Sequence, residues 1–259
     1  MIEGFRNRVR AGEVVLGAFI KTAHHAVGEV MARSGIDFTI LDAEHSPFDL
    51  EGTDRVVLGA TAAGLPCLVR PAGHWLPFIG QCLDLGAAGI LATHVIDAVT
   101  ATSLAAAAKY ASGKRGFSPA TRAGDYGTVP FAPYRARADA ESSLWCQIED
   151  AEALGHLDEI AAADGVDCLF LGRADLGLSL GVESPDDPKM REAIAATAEA
   201  ARRHGKALGF FLGDPAEFGA LLELGATVLV CGADQSWLIS QGQAIRQALT
   251  QATEALSER

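Results

Sequence analysis

No stretch of this 259-residue chain is apolar for long enough to cross a membrane, which excludes a helical integral membrane protein. The first residues, Met1-Ile2-Glu3-Gly4-Phe5-Arg6, lack the basic-then-apolar layout of a secretory signal, so a cytoplasmic protein is expected. The five cysteines (Cys67, Cys82, Cys146, Cys168 and Cys231) form no CxxC pair, and all but Cys82 lie inside apolar runs. Buried free thiols in a reducing compartment are expected, not a disulfide framework. Positive charge is scarce: the formal net charge of −12 argues against nucleic acid or an anionic membrane as the main partner. A small anionic substrate stays compatible, since a site can be locally cationic on an acidic surface. GxGxxG is missing after the first apolar run, and HExxH does not occur. Linkers and low-complexity tracts are missing too, so residues 1–259 read as one domain.

What is present is a repeat of short apolar runs and Ala-rich amphipathic stretches. The runs lie at Val14–Ile20, Phe38–Leu41, Cys67–Val69, Gly89–Ala92, Leu144–Ile148, Cys168–Leu171, Leu208–Leu212 and Val228–Cys231. Runs of this length bounded by loop residues read as buried parallel strands. Helical stretches such as Ala26–Arg33, Pro77–Leu85 and Arg191–Arg203 separate most of them. Eight strands alternating with helices predict a (β/α)₈ TIM barrel, with a doubly wound open sheet as the competing architecture. At 49% hydrophobic and 21% charged residues, the chain can bury the sizeable core that either fold needs.

Two segments break the alternation. Residues 112–138 carry glycine, proline, arginine and aromatics without clear periodicity, and a loop of this length is expected to serve as a lid over the barrel or as a surface or subunit contact. Gln235–Arg259 reads as helix, broken around Ser240-Gln241-Gly242, which covers the barrel or reaches a neighbouring subunit.

In a barrel of this kind catalytic groups sit where strands end. Glu149 closes the fifth run and Asp175 follows the sixth, so two hard oxygen ligands converge on one face, a start for a divalent-metal site. Gln147 alternates to the same side as Glu149. Gly172 permits close backbone approach, and the amides from Gly172 to Asp175 can bind an anion; the plainer alternative makes Asp175 a helix cap. Asp42 and His45 stand three residues apart, where a carboxylate can orient an imidazole as a general base; the alternative is a capped turn with an exposed histidine. Arg70, at the end of the third run, suits a carboxylate or enolate oxygen, with Asp84 or Glu44 as a structural partner. Lys21 ends the first run and is the lysine best placed for a Schiff base, though nothing nearby obviously activates it. His94 ends the fourth.

Leu41-Asp42-Ala43-Glu44-His45-Ser46-Pro47, Val69-Arg70-Pro71, Gln147-Ile148-Glu149 and Leu171-Gly172-Arg173-Ala174-Asp175-Leu176 together resemble the HpcH/HpaI aldolase family of metal-dependent class II pyruvate aldolases, which includes those acting on 4-hydroxy-2-oxo-heptanedioate and on 2-keto-3-deoxy sugar acids. The resemblance runs from about Gly17 to Trp237 and includes Gly225-Ala226 and Gly232-Ala233-Asp234. It implies that Glu149 and Asp175 bind a divalent cation (Mg²⁺, Mn²⁺ or Co²⁺). His45 supported by Asp42 would be the base, and Arg70 would neutralise the enolate oxygen. Amides near Gly172 and Ala174 would hold the pyruvate carboxylate, with Asp84 and Gln147 supporting the site. It further implies a (β/α)₈ barrel assembled as a homo-oligomer, a hexamer, often with the last helix exchanged between subunits. The expected activity is reversible cleavage of a 4-hydroxy-2-oxo acid to an aldehyde and pyruvate, or a close 2-oxo acid such as hydroxypyruvate. Alternatives are an acyl-CoA lyase of the citrate-lyase β type, a Schiff-base aldolase, and a non-catalytic barrel that binds a 2-oxo acid. Two departures from the family pattern bear on the aldehyde: Arg173 stands where many members have proline, and the segment around Arg115–Arg122 differs.

Overall fold

Eight parallel strands close on themselves in chain order: β1 Val15–Ile20, β2 Phe38–Asp42, β3 Cys67–Arg70, β4 Gly89–Ala92, β5 Ser143–Ile148, β6 Cys168–Leu171, β7 Ala207–Leu212 and β8 Val228–Ala233. The computed structural model describes residues 4–111, 114–184 and 186–257. Helix α1 (Phe5–Arg10) precedes β1; α2 (His25–Met31), α3 (Leu50–Ala62) and α4 (Leu76–Asp84) follow β1, β2 and β3. Both α5 (Ala98–Ala108) and α6 (Phe131–Glu141) lie between β4 and β5, and α7 (Leu157–Ala162) follows β5. The remaining helices are α8 (Arg173–Leu180) and α9 (Pro188–Arg203) after β6, α10 (Phe218–Glu223) after β7, and α11 (Asp234–Ser257) after β8. The expected barrel is therefore what forms, and closure of β1 on β8 excludes the open sheet. Each strand matches its apolar run to within two residues at either end.

Side chains separate into two layers. Those pointing outward, such as Leu41, Val69, Ile90, Leu144 and Leu169, pack under the helices. Those pointing inward, including Phe19, Phe38, Ile40, Leu68, Trp145, Phe170 and Val230, fill the barrel. Trp145 is the centre of this inner core: its ring meets Phe38 edge-on at 5.3 Å and stacks over Phe170 at 6.3 Å. Phe5 and Val9 of α1 close the floor. Arg6 fixes that helix by donating to buried Asp167 (2.8 Å), which also accepts from Ser143 Oγ and the Leu144 amide. Among the described residues no helix is long and apolar enough to cross a membrane.

All five cysteines are buried and unpaired, as expected, with burial raising the thiol pKa of Cys67 to about 12 and of Cys146 to about 12. Two expectations need correction. The C-terminal segment is one continuous helix from Asp234 to Ser257, because a single interior glycine costs only about 1 kcal/mol and does not break a helix. Glu258 and Arg259 lie outside the described residues, as do Ser112 and Gly113 of the irregular segment. The rest of that segment contains a short 3₁₀ turn, Arg122–Gly127, and then α6. It packs on the outside of the barrel: Arg115 pairs with Asp84 at the end of α4, and Arg122 donates to the Leu85 carbonyl and pairs with Asp54 of α3. A segment that leaves the carboxyl end of a helix starts at the opposite end of the barrel from the strand tips, so within this chain it is not a lid.

The inner core depends on a missing side chain at Gly17, where a Cβ would stand 2.5 Å from the Phe38 ring. That ring is held between Phe5 and Trp145 and cannot retreat. Gly17→Ala is therefore expected to destabilise the fold by about 2–3 kcal/mol through overpacking, measured by urea unfolding.

Candidate active site

Inward alternation with period two carries five of the strands to polar residues or glycine at the barrel mouth. From Phe38 and Ile40 it reaches Asp42, from Leu68 it reaches Arg70, from Trp145 it reaches Gln147 and Glu149, from Phe170 it reaches Gly172, and from Phe19 it reaches Lys21. A cavity of about 590 Å³ opens there, lined by Lys21, His45, Arg70, Gln147, Gly172, Arg173, Ala174 and Asp175 among others. The sequence-predicted residues His45, Arg70, Gln147, Gly172, Ala174 and Asp175 thus share one wall system, and Asp42 and Glu149 stand directly behind it.

Asp42 is fully buried and is the anchor of the cationic side. Arg70 grips it with Nε at 3.0 Å and Nη2 at 2.8 Å, Lys21 Nζ stands 2.8 Å away, and the His45 backbone amide donates at 3.1 Å. Burial alone would raise its pKa, but the charge of Arg70 and the bonds from Lys21, His45 and Arg70 outweigh it and hold the carboxyl below its ordinary value. The Arg70 guanidinium lies over the Phe19 ring at 4.6 Å and approaches Glu44 at 3.4 Å.

This arrangement changes the expected role of Asp42. It does not orient the His45 imidazole; it caps the turn, because two cations already occupy its oxygens. The imidazole is exposed, with Nε2 3.5 Å from Glu44 Oε2. Asp84, expected beside the site, is at the end of α4 and pairs with Arg115 at 2.7 Å, in a separate groove between α4 and α5. Lys21 is paired to Asp42 and Arg173 to Glu217 (2.6 Å), the latter also donating to the Phe211 carbonyl at 3.0 Å.

Glu149 is 1% exposed. The His94 amide donates to its Oε1 at 2.8 Å and the Gln147 side-chain amide donates to Oε2. Its pKa is pushed up to about 7 by burial, with the His94 bond pulling the other way. Asp175 is half-buried in the first turn of α8, and among the described residues it has no hydrogen-bond or ion-pair partner. Gly172 is required beside Glu149: a Cβ there would lie 2.7 Å from both Gln147 Nε2 and Glu149 Oε2. A desolvated carboxylate whose one nearby cationic group is the exposed His94 ring, 3.7 Å from its Oε1, is a hard donor that a divalent cation would satisfy, and Asp175 offers a second, unpartnered carboxylate on the same cavity. Among the described residues no group of three or more His, Cys, Asp or Glu converges for a metal, so the other positions would fall to substrate and water.

His94 and Glu44 also belong to the site, though little in the sequence marks them. His94 adopts a left-handed backbone (φ 52°), uncommon for a side chain, and this aims its amide at Glu149. Its ring Nδ1 is 3.0 Å from Asp150 Oδ2; burial lowers its pKa, but Asp150, Glu149 and Glu44 together raise it. Position at a strand end was the only sequence signal for either residue. Phe211, Gly232, Gln235, Ser236 and Ile239 complete the cavity from β7, β8 and α11.

A closed parallel barrel with paired carboxylates and a buried arginine at its carboxyl face defines a (β/α)₈ enzyme-type site. The chain belongs to the HpcH/HpaI aldolase/citrate lyase family, whose model matches residues 16–241. It is 35% identical over 245 residues to a hydroxypyruvate/pyruvate aldolase of Pseudomonas aeruginosa, covering 92% of this chain and 89% of that protein. It is 31% identical over 233 residues to a 2-keto-3-deoxy-L-rhamnonate aldolase of Escherichia coli, covering 89% and 86%. The crystal structure of an HpcH/HpaI aldolase from Desulfitobacterium hafniense superposes with a TM-score of 0.88 at 28% identity, covering 95% of this chain and 96% of that one.

Asp42→Asn is expected to cost about 3 kcal/mol at pH 7, since it leaves two cations around a neutral group. The folded-state pKa of Asp42 lies below the unfolded 3.8, so its contribution is present above pH 3.8 and is lost as pH falls through the folded value. Urea unfolding of both proteins should show the difference at pH 7 and its shrinkage below pH 3.8.

Proposed function

We propose that the chain is a divalent-metal-dependent aldolase that cleaves and forms 4-hydroxy-2-oxo acids, with pyruvate or a close 2-oxo acid such as hydroxypyruvate as the donor half. The observation that carries this is the buried carboxyl of Glu149 packed against Gly172, with unpartnered Asp175 and Arg70 lining the same cavity as that glycine. The relatives named as pyruvate and 2-keto-3-deoxy-acid aldolases support it.

Glu149 and Asp175 would hold the cation (Mg²⁺, Mn²⁺ or Co²⁺), which when bound supplies Lewis acidity toward the 2-oxo group. The chain's own groups do the rest. The backbone amides near Gly172, at the start of α8, receive the donor carboxylate; the amide of Gly172 itself already donates to the Ile148 carbonyl at 3.1 Å, so that of Ala174 takes this part. Gln147 shares the wall with them. Arg70, fixed by Asp42, places a positive charge where the enolate oxygen forms. In cleavage His45, directly or through water, takes the C4 hydroxyl proton; the C3–C4 bond breaks and its electron pair moves into the enolate. In synthesis the same base removes a C3 proton from the donor, and C3 attacks the aldehyde carbon. Asp84 has no role in this scheme within one chain.

A homo-oligomer, a hexamer by family resemblance, belongs to the same proposal. Helix α11 has no buried residue and exposes Leu238, Ile239, Ile245, Leu249 and Leu256, which fits a helix exchanged between subunits.

The test is exchange of the pyruvate methyl protons with deuterated water, followed by NMR with and without Mn²⁺ or Mg²⁺. Wild type should exchange only with metal, and Glu149→Gln or Asp175→Asn should lower the rate by about 10³-fold or more with little change in far-UV circular dichroism. Metal-dependent exchange that survives both substitutions contradicts the assignment.

A further inference from the structure

Beside the main cavity lies a second one of about 460 Å³, between α8, α9 and the loop after β7. Val182, Glu183, Ser184, Met190 and Gly213 line its far side. Arg173, Ala174 and Phe211 line both cavities and so form the wall between them. Ala174 gives that wall only a methyl group and backbone. The Phe211 ring packs on Phe19, 5.6 Å away, on the main-cavity side. Arg173 is the one long flexible side chain in the wall.

That side chain crosses from the first residue of α8 to the end of β7 and the loop beyond it. Its Nη1 donates to Glu217 Oε2 at 2.6 Å and its Nη2 to the Phe211 carbonyl at 3.0 Å. Glu217 is fixed in turn: it ends the short 3₁₀ turn Pro215–Glu217, where the Asp214 carboxylate accepts the Ala216 amide at 2.9 Å. A planar guanidinium held by two acceptors makes a defined bar across the gap. Among the described residues this bar makes no hydrogen bond or ion pair with Arg70, Gln147 or Asp175, so its contacts are separate from those of the donor site. The aldehyde must lie beside the donor, in the part of the main cavity that a three-carbon acid leaves free, and its chain then meets this wall.

We propose that Arg173, tied to Glu217, is a specificity-determining residue that limits the length of the acceptor. The bar stops the aldehyde chain at the wall and shuts the second cavity to it. Selection is by length, whatever group the chain carries. The inference rests on the aldolase reading above and adds to it the class of acceptor, a short-chain aldehyde.

The experiment measures kcat/KM for octanal and for propanal, each with pyruvate as donor and saturating Mn²⁺. Arg173→Ala should raise the octanal-to-propanal ratio by about tenfold, chiefly by lowering KM for octanal, since each methylene newly buried is worth about fourfold. Glu217→Ala removes one of the two anchors and should raise the ratio by a smaller factor. Glu217 does not line the main cavity, so this variant should keep the wild-type rate of metal-dependent pyruvate proton exchange. Gly213 lines only the second cavity and has open space where a Cβ would stand. Adding Gly213→Leu to Arg173→Ala should therefore fill that cavity and cancel the gain. Circular dichroism checks that each variant is folded. A ratio that stays at the wild-type value in Arg173→Ala, with both acceptors losing rate alike, would make the pair a brace for α8 and overturn the inference. So would a gain that persists when Gly213→Leu is added, since the longer chain would then lie elsewhere. A wild type that shows no metal-dependent exchange is a separate outcome: it refutes the aldolase reading and this inference with it.

Discussion

A closed parallel barrel has one axis along which side chains alternate inward, and everything at its mouth is the continuation of what fills its interior. The aromatic layer of Phe5, Phe38, Trp145 and Phe170 sets the spacing of the strands. Two or four residues further along the same strands, the inward positions are Asp42, Gln147, Glu149 and Gly172. The site is thus tied to the core through backbone of extended geometry, with few rotatable joints between packing and chemistry. Such a connection holds ligands within the narrow tolerances that metal and enolate chemistry require.

Two kinds of buried acid follow from this one arrangement. Asp42 is surrounded by Arg70, Lys21 and a backbone amide and stays ionised. Glu149 is equally buried but receives only two amide donors and the exposed His94 ring at 3.7 Å, so its carboxyl is raised to about 7. The first is a structural anion that positions two cations. The second has no full counter-ion beyond that exposed imidazole, and a divalent cation at that place would meet the need. Lys21 and Arg70 thus stand on the β1 and β3 side, and Glu149 and Asp175 on the side of β5 and β6, where Arg173 is held by Glu217.

The barrel was legible in the sequence because its signal is repeated eight times: short apolar runs, helical spacers, and strand-end polar residues. The places of Glu149 and Arg70 at the barrel mouth were legible for the same reason, since period two sets them, while Asp175 lies in the first turn of α8. What was not legible depends on contacts between distant segments. The Asp42 carboxylate turned from the imidazole of His45 because Lys21 and Arg70 arrive from other strands. Asp84 went to Arg115, at the far side of a helix, and the irregular segment followed it. Gly242 did not break α11, as local propensity was too weak to end a 24-residue helix. His94 gave no composition signal at all, because its contribution is a backbone amide aimed by a left-handed φ.

The central claim is that Glu149 and Asp175 share a divalent cation on which the donor acid is placed. A crystal structure of the protein with Mn²⁺ and pyruvate, phased with anomalous scattering, measures this directly. One anomalous peak per chain bonded to oxygens of both carboxylates, with pyruvate between it and Arg70, is the predicted result. A peak elsewhere, or pyruvate bound away from these two residues, would contradict the account.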